Sequence, residues 1–314
     1  MDKKEIYWGM IGCGDVTEVK NGPGLYLAEH SHLYGVVNRT RSKAEDWVKR
    51  HGAGKVYDSV GELLSRPEID IVYVATTPDC HKRYAIACAE AGKHCYLEKP
   101  IALSYEEAEE IQAAFAASGT KIFVAHYRRG MSRYKEIRRL LEEGAIGKVR
   151  GMQMLRTQKQ TALERLPEEQ KPWRVRSGIS GGGHFFEGDI HMLDLADFLV
   201  GPAADFKVEL GNETGVYDAA DTVALSMRTT TGVMGSITYQ YGRNDAPIRL
   251  ETVHGVREFT PFLHPNVGTE QIQDIVNELL GCGCCTSTLE AAMRSLRITD
   301  FAEKLWKNEK GTGQ

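Results

Sequence analysis

The segment 96–100, Tyr-Leu-Glu-Lys-Pro, has the residue types and spacing best suited to chemistry. It follows a strand-like run at 71–76 and a helical segment at 82–91. A lysine beside a glutamate at the mouth of a parallel sheet can be held, oriented and tuned in pKa. A Lys-Pro pair alone would more simply indicate a solvated loop. Its place after strand, helix and strand, downstream of a glycine turn, instead favours chemistry at Lys99 beside Glu98.

A glycine-rich turn at 12–17 follows the first predicted strand directly. Two glycines allow a tight turn in which backbone N–H groups approach a pyrophosphate beside a helix N-terminus. The usual third small residue is replaced by Thr17, so the pattern is incomplete. Its position between a strand and a helix predicts dinucleotide binding. The residues expected to contact the dinucleotide here are Gly12, Gly14, Asp15 and Val16.

The end of the second predicted strand bears on the choice between NAD and NADP. An NAD site usually offers an acidic residue there for the ribose 2′-hydroxyl, whereas this chain has Asn38 and Arg39. Arg39 could pair with a 2′-phosphate through two parallel hydrogen bonds. The alternative is that Arg39 is only a surface charge. We therefore expect NADP in preference to NAD, with Asn38 and Arg39 near the ribose.

The elements that would position these residues change in character along the chain. Alternating strands and helices over 1–122 predict a parallel sheet covered on both faces. The predicted strands there are 6–11, 33–37, 55–57, 69–75 and 121–125, and the helices are 42–51, 60–65, 82–91 and 105–117. After a helix at 134–143, the alternating runs 149–156, 206–210, 222–227, 233–241 and 248–252 predict an antiparallel sheet with one buried face.

Two helices, near 270–280 and 289–307, end the chain. The predicted fold class is therefore α/β followed by α+β, with domains at 1–122 and 123–314. The C-terminal helix could pack back on the first domain. Because the second sheet has few helices to cover its other face, we expect a homodimer or homotetramer.

Composition excludes several classes of protein. The chain is 42% hydrophobic and 26% charged with a net charge of −4, so no basic excess indicates a nucleic-acid partner. The N-terminal run is too short and glycine-rich for a signal peptide, and no window approaches the roughly 18 apolar residues of a membrane helix. We expect a cytoplasmic protein without a membrane partner. The seven cysteines, including the tight cluster 282–285, lack the spacing and histidines of a zinc site, so no metal is expected.

Four motifs in order make the chain similar to the glucose–fructose oxidoreductase, inositol dehydrogenase and MocA (Gfo/Idh/MocA) oxidoreductase family. They are Gly12-x-Gly14, the turn 75–81, Glu98-Lys99-Pro100, and Gly181-Gly182-Gly183 followed by His191 and Asp194. The resemblance implies an N-terminal Rossmann domain and a C-terminal open, mainly antiparallel sheet. It also implies reversible oxidation of a secondary alcohol on a sugar or cyclitol. Further cofactor contacts are expected from Thr76, Thr77, Pro78, His81, Glu98 and Lys99.

The resemblance also assigns the catalytic roles. Lys99 would hydrogen-bond the reacting oxygen, and His191, on the helix-like run 189–199, would take or give the hydroxyl proton. The family usually has an aspartate four residues before that histidine, where this chain has Glu187, with Asp189 two residues on. Either acid could hold a substrate hydroxyl. A core histidine is the alternative for His191, and the presence of Lys99 disfavours it.

Two further pairs are candidates for lining the substrate pocket. Trp173 could stack on a sugar ring while Arg174 bonds hydroxyls or a carboxylate, although a packing tryptophan is the alternative. Tyr127 and Arg128 follow the closing strand, at the edge where open α/β sheets bind ligands, or else they link the domains.

Three functions follow from these residues. The first is an NAD(P)-dependent oxidoreductase acting on a sugar, glycoside or cyclitol. The second is a glycoside hydrolase that uses a tightly held NAD for transient oxidation, which Arg39 disfavours because a cofactor that is never released is more often NAD. The third is a non-catalytic sensor, which the presence of both Lys99 and His191 disfavours.

Overall fold

The computed structural model describes residues 3–241, 248–259 and 265–311. Within these ranges the chain forms two six-stranded sheets. Its contacts divide it into two compact units: unit 1 takes the described residues of 1–102, 106–132 and 263–289, and unit 2 takes those of 103–105, 133–262 and 290–314. None of the helices in the described ranges is long and apolar enough to cross a membrane.

Unit 1 contains a parallel sheet with the strand order β3-β2-β1-β4-β5-β6. Its strands are β1 (Ile6–Ile11), β2 (Ser31–Val37), β3 (Lys55–Val56), β4 (Ile71–Val74), β5 (His94–Leu97) and β6 (Ile122–Val124). Its helices include α1 (Asp15–Val19), α2 (Gly24–Leu27), α3 (Arg41–His51), α4 (Val60–Leu64), α5 (His81–Glu90) and α6 (Tyr105–Ser118). The central strands β1 and β4 are buried on both faces, so their sequences are almost continuously apolar.

Large aromatic side chains fill the core of unit 1. Trp8 is fully buried, and its indole N–H donates to Ser31 Oγ at 2.9 Å. The rings of Tyr73 and Tyr96 stack across β4 and β5 with centroids 5.0 Å apart. The Tyr96 hydroxyl donates to Gln271 Oε1 at 2.8 Å. Each of these polar tips has a partner, which allows such side chains to be buried at little cost.

A segment late in the chain completes this unit. Helix α10 (Thr269–Leu279) packs its apolar face into the core, and Gln271 Nε2 donates to the Val124 carbonyl at 2.8 Å. Ser287 Oγ donates to the same carbonyl at 2.6 Å, and the Val124 N–H donates to the Ser287 carbonyl at 3.1 Å. These contacts satisfy backbone groups on the outer edge of β6, which would otherwise be an open sheet edge.

The division by contacts therefore differs from a single boundary near residue 123. Residues 265–289 lie in unit 1 because they cover the edge of β6 and part of the core. The helix that packs there is α10, whereas the C-terminal helix α11 (Leu289–Gly311) lies in unit 2 from its second residue onward.

Unit 2 contains a mixed sheet with the strand order β12-β11-β7-β10-β9-β8. Its strands are β7 (Val149–Gln158), β8 (Ala203–Gly211), β9 (Thr222–Thr229), β10 (Met234–Tyr241), β11 (Ile248–Thr252) and β12 (Gly255–Phe259), and its other helices are α7 (Ser132–Glu142), α8 (Ser177–Ser180) and α9 (Ile190–Val200). Only β7 and β10 pair in parallel among these strands, so the predicted mainly antiparallel sheet is confirmed. Strand β12 was not predicted, because its largely exposed residues show no alternation of buried and exposed positions.

The strands β9 and β10 alternate between a buried apolar face and an exposed one. The exposed positions hold small or polar side chains such as Ala224, Ser226 and Ser236, with Ser226 and Ser236 directly opposite each other. Assembly of two copies through this face stays a prediction. Light scattering that shows only monomer at micromolar concentration would contradict it.

Candidate active site

The carboxyl ends of the parallel strands bring the predicted cofactor residues, and the pocket candidate Tyr127, to one edge of the sheet in unit 1. The glycine turn follows β1, Asn38 follows β2, Thr76 follows β4, Glu98 follows β5 and Tyr127 follows β6. Because the strand order is β2-β1-β4-β5-β6, these turns lie along the edge in that spatial order. This is the edge at which open α/β sheets bind nucleotides.

The glycine turn has the shape that a pyrophosphate requires. Gly12 has φ +101°, and a Cβ there would lie 2.5 Å from the Ala75 carbonyl oxygen, so only glycine fits. No atom of the described residues lies within 4 Å of a Cβ built on Gly14, which leaves its backbone open to a ligand. Thr17 is fully buried, and its hydroxyl donates to the Gly14 carbonyl at 2.7 Å. Thr17 therefore stabilises the turn although it replaces the usual small residue. Asp15 is exposed and Val16 is half-buried beside them.

The side chain of Asn38 braces this turn. The Cys13 N–H donates to Asn38 Oδ1 at 3.2 Å, and Asn38 Nδ2 donates to the Thr40 carbonyl at 3.0 Å. Arg39 is exposed and makes no ion pair within the part of the chain that the structure describes. Its neighbour Arg41 is bound to Glu45 and Asp58. The Arg39 guanidinium thus remains available to an anion.

Glu98 is a buried anchor for the backbone that leads to Lys99. The Tyr73 hydroxyl and Asn21 Nδ2 both donate to Glu98 Oε1 at 2.6 Å, and the Lys99 N–H donates to Oε2 at 3.3 Å. Burial raises the pKa of Glu98, while the Lys99 charge and these hydrogen bonds oppose that rise. Because Oε1 already accepts two bonds inside the protein, the role it supports is the positioning of Lys99. Lys99 itself is half-buried and joined to Pro100 by a cis peptide bond.

His81 links the turn that follows β4 to Pro100, the residue after this lysine. Its ring is fully buried, with Nδ1 2.7 Å from the Pro100 carbonyl oxygen and Nε2 3.1 Å from the Thr76 carbonyl oxygen. Burial lowers the pKa of His81. Both ring nitrogens lie against backbone carbonyls, and a neutral ring can donate to only one of them, so the contribution of His81 to cofactor binding is to position these backbone segments. Thr77 is the N-cap residue of the 3₁₀ turn that starts at Pro78.

The residues after β6 are also inside the protein. Tyr127 and Arg128 are both buried, with the guanidinium carbon of Arg128 5.1 Å from the Tyr127 ring centroid. Arg128 Nε and Nη1 have no hydrogen-bond partner among the described residues. Buried donors without partners are costly. Arg128 therefore has donors that could bond a carboxylate or hydroxyl oxygen.

In unit 2, the glycine triplet 181–183 permits three close approaches. Gly181 (φ +93°) lies against the Phe186 ring, a Cβ on Gly182 would lie 2.7 Å from Glu303 Oε2, and one on Gly183 (φ +71°) would lie 2.6 Å from the Tyr217 ring. The chain then enters a π-helical turn, Phe185–Asp189, which continues into α9. Sequence reasoning predicted helix only from residue 189. The wider turn was missed because it depends on these tertiary contacts.

The π-helical turn carries the two acidic candidates. Glu187 and Asp189 are both buried. Arg174 Nε lies 3.4 Å from Glu187 Oε2, and Arg156 Nε lies 3.3 Å from Asp189 Oδ1. His191 is half-buried in the first turn of α9. The structure thus places Glu187, Asp189 and His191 on one continuous helical stretch.

The predicted loop pair also lies in unit 2. The guanidinium carbon of Arg174 is 4.6 Å from the Trp173 ring centroid, and both side chains are partly exposed. The ion pair of Arg174 with Glu187 connects them to the acidic turn. Arg156 is a residue that sequence reasoning missed, although an arginine near the end of a strand with apolar alternation was an available signal.

The cysteine cluster that follows α10 forms no disulfide bond among the described residues, with Cys282 and Cys284 exposed and Cys285 buried. Among the described residues, no group of three or more His, Cys, Asp or Glu side chains is arranged to hold a metal ion.

Two family models match this chain, one after the other. The model of an oxidoreductase family with an NAD-binding Rossmann fold matches residues 6–126, and the model of the GFO/IDH/MocA C-terminal domain matches residues 134–256. Oxidoreductase P35 of Formosa agariphila is 36% identical over 206 residues, which are 65% of this chain and 64% of that protein. The 1,5-anhydro-D-fructose reductase of Ensifer adhaerens is 26% identical over 235 residues, 75% of this chain and 66% of that protein. The chain thus spans just under two thirds of the length of these curated relatives.

A solved structure shares the fold over nearly the whole chain. The WlbA dehydrogenase from Bordetella pertussis, in complex with NADH and UDP-GlcNAcA, has a TM-score of 0.83 and 19% identity, covering 98% of this chain and 97% of that one. The predicted Rossmann domain followed by a mainly antiparallel sheet is confirmed. Since both family models match in the expected order, one on each sheet, the chain belongs to the Gfo/Idh/MocA family of oxidoreductases.

Proposed function

We propose that this protein is an NAD(P)-dependent oxidoreductase that transfers hydride between a nicotinamide cofactor and a secondary alcohol, or the corresponding ketone, of a sugar, glycoside or cyclitol. The observation that carries the proposal is the series of turns along the carboxyl edge of the parallel sheet, where the open glycine turn follows β1, the Thr76 turn follows β4 and the anchored Lys99 follows β5. The substrate class is supported by the Ensifer reductase, named for 1,5-anhydro-D-fructose, and by the Bordetella dehydrogenase, whose complex holds UDP-GlcNAcA.

In the proposed mechanism, residues of the chain bind and orient the substrate and transfer a proton. A bound nicotinamide supplies the hydride acceptor or donor. The Lys99 ammonium group stabilises negative charge on the reacting oxygen, and Glu98 keeps its backbone in place. His191 takes or gives the hydroxyl proton, for which an imidazole is suited near neutral pH. Glu187 and Asp189 hold substrate hydroxyls.

The remaining binding roles belong to the other candidate residues. The backbone at Gly12 and Gly14 would hold the pyrophosphate, with Asp15 and Val16 beside it, and the Thr76 turn would also contact the cofactor. Among the substrate contacts, Trp173 stacks on a ring face while Arg174 and Arg128 bond substrate oxygens.

A screen of sugars, glycosides and polyols with NADP and with NAD tests the function. Nicotinamide absorbance would report reduction or oxidation of the cofactor, and the expected result is one cofactor converted for each substrate converted. Product formed without any net change of the cofactor would contradict an oxidoreductase and indicate transient oxidation instead.

We further propose that NADP is preferred and that Arg39 is the cause. In the unmutated protein NADPH should bind more tightly than NADH. The substitution Arg39→Ala removes a charge-assisted phosphate contact worth about 1.5–3 kcal/mol, so NADPH affinity should fall by roughly one to two orders of magnitude while NADH affinity stays unchanged. Fluorescence titration of the two reduced cofactors measures both values.

The matched control is Arg41→Ala. Arg41 is two residues away and similarly exposed, but Glu45 and Asp58 already engage it. Its replacement should leave the ratio of the two affinities unchanged. Equal dissociation constants for NADPH and NADH in the unmutated protein would refute the preference.

A further inference from the structure

Glu164 is a buried carboxylate in a connection whose other acids are exposed. It lies in the segment 159–176, between β7 and α8, and is only 4% exposed, whereas Glu168 and Glu169 in the same segment lie in solvent. A carboxylate is costly to remove from water unless it is strongly paired. The burial of this one side chain therefore requires an explanation.

Three donors from separate parts of unit 2 converge on this carboxylate. The Thr161 N–H donates to Glu164 Oε2 at 2.8 Å within a capping box, and the Tyr241 hydroxyl donates to the same oxygen. His184 Nε2 lies 3.0 Å from Oε1. Burial raises the pKa of Glu164, but the bonds from Thr161, Tyr241 and His184 outweigh it, so the pKa lies below its usual value. The side chain is thus an anion held by all three.

Two of these donors lie on the sheet and next to the acidic turn. Tyr241 is the last residue of β10, and His184 directly precedes the π-helical turn that carries Glu187 and Asp189. The His184 ring also stacks on the Tyr241 ring, with centroids 5.7 Å apart. One carboxylate therefore ties the segment 159–176 to the sheet and to the start of the acidic turn.

A second tie lies further along the same segment. The Arg174 guanidinium reaches Glu187, with Nε 3.4 Å from Oε2, and stacks beside Trp173. The segment is therefore bound at two points, through Glu164 to His184 and Tyr241 near its beginning and through Arg174 to Glu187 near its end. Both contacts join the segment to the chain on either side of the start of the acidic turn, at His184 and at Glu187.

We propose that Glu164 is a positioning residue that holds the segment carrying Trp173 and Arg174 in register with the acidic turn, and so sets the affinity for substrate. This inference rests on the proposed function, because it assigns the substrate contacts to Trp173, Arg174 and Glu187. Glu164 has no contact with substrate in this scheme. Its effect passes through the placement of Arg174.

The first test requires no substrate and uses the full chain. In Glu164→Gln the side chain keeps its size, but its amide group cannot accept from all three donors and has no charge. Hydrogen exchange of the backbone over 165–176 should become at least ten-fold faster, while the strands of unit 1 keep their protection. Glu168→Gln is the control: it removes an exposed acid of the same segment, bonded to Lys171 at 2.9 Å, and should leave exchange unchanged. Equal exchange in Glu164→Gln and unmutated protein would overturn the proposal, whether or not a substrate has been found.

The second test uses a substrate that the screen has verified. Glu164→Gln should raise KM about ten-fold with kcat within a factor of three and the dissociation constant for NADPH unchanged, because Lys99 and His191 are untouched. A general loss of structure would instead lower the active fraction and the cofactor affinity.

The double variant Glu164→Gln/Arg174→Ala should have the KM of Arg174→Ala alone, since both substitutions act through the position of the Arg174 side chain. Additive effects on KM would show that Glu164 does not act through Arg174. If no sugar or polyol is turned over, the proposed function fails, and the exchange experiment still decides the role of Glu164.

Discussion

Replacing Lys99 with methionine is expected to lower kcat by about 10²–10⁴-fold on a verified substrate. Methionine keeps the length and the apolar stem of the side chain but removes the charged donor. If the ammonium group stabilises the reacting oxygen in the transition state, its loss should appear in kcat and kcat/KM alike. Steady-state kinetics measures the effect, and fluorescence titration should show nearly unchanged cofactor affinity.

Lys82→Met is the matched control for this variant. Lys82 lies on α5 in the same unit and pairs with Glu107 and Glu110 at the surface, so its loss should leave kcat unchanged. Near-full turnover by Lys99→Met would contradict the assigned role and, with it, the reading of this site as an oxidoreductase centre.

The hydrogen bonds that hold the backbone at Lys99 are the reason to expect so large an effect. Glu98 accepts from Tyr73, Asn21 and the Lys99 N–H, so the backbone that carries the ammonium group is held by a buried network. A charge placed in advance loses little energy to reorganisation during the reaction, which is where electrostatic stabilisation is most effective. The adjoining His81 holds the same segment through Pro100.

The parts of the fold that the sequence predicted well are those whose signals are local. Strand β1, the glycine turn and the helices α3, α5 and α6 each follow from an apolar pattern and a turn within a few residues. The position of Lys99 after β5 follows from the same reasoning, because consecutive parallel strands end at one edge of a sheet.

The parts that were missed depend on residues far apart in the chain. Gln271 meets Val124 across 147 positions, so no local pattern could assign α10 to unit 1. Glu164 meets Tyr241 across 77 positions. A glutamate in a polar connection resembles any other until its donors are known. The π-helical turn at Phe185–Asp189 likewise depends on what surrounds the glycine triplet.

The surroundings of Glu187 suggest why a glutamate can stand where the family usually has an aspartate. Glu187 and Asp189 are both buried, and each lies within 3.4 Å of its own arginine. Two oriented carboxylates within one turn can accept from two substrate hydroxyls, which suits a polyhydroxylated substrate. We infer that both acids contribute, with the longer Glu187 reaching the loop through Arg174.

His191→Asn should also lower kcat by about 10²–10⁴-fold, because asparagine keeps a polar side chain but cannot take the hydroxyl proton. The exposed His254, between β11 and β12 in the same unit, supplies the control variant His254→Asn, for which kcat should not change. Cofactor titration should give the unmutated value for both variants.

The double variant Lys99→Met/His191→Asn is the sharper measurement. If the lysine and the histidine act on one oxygen and its proton, the double variant should be little slower than the slower single variant, since residues that act as a unit are not additive. Multiplied losses in the double variant would mean that the two side chains serve separate steps, and His191 would then be better explained as a substrate-binding or structural residue of α9.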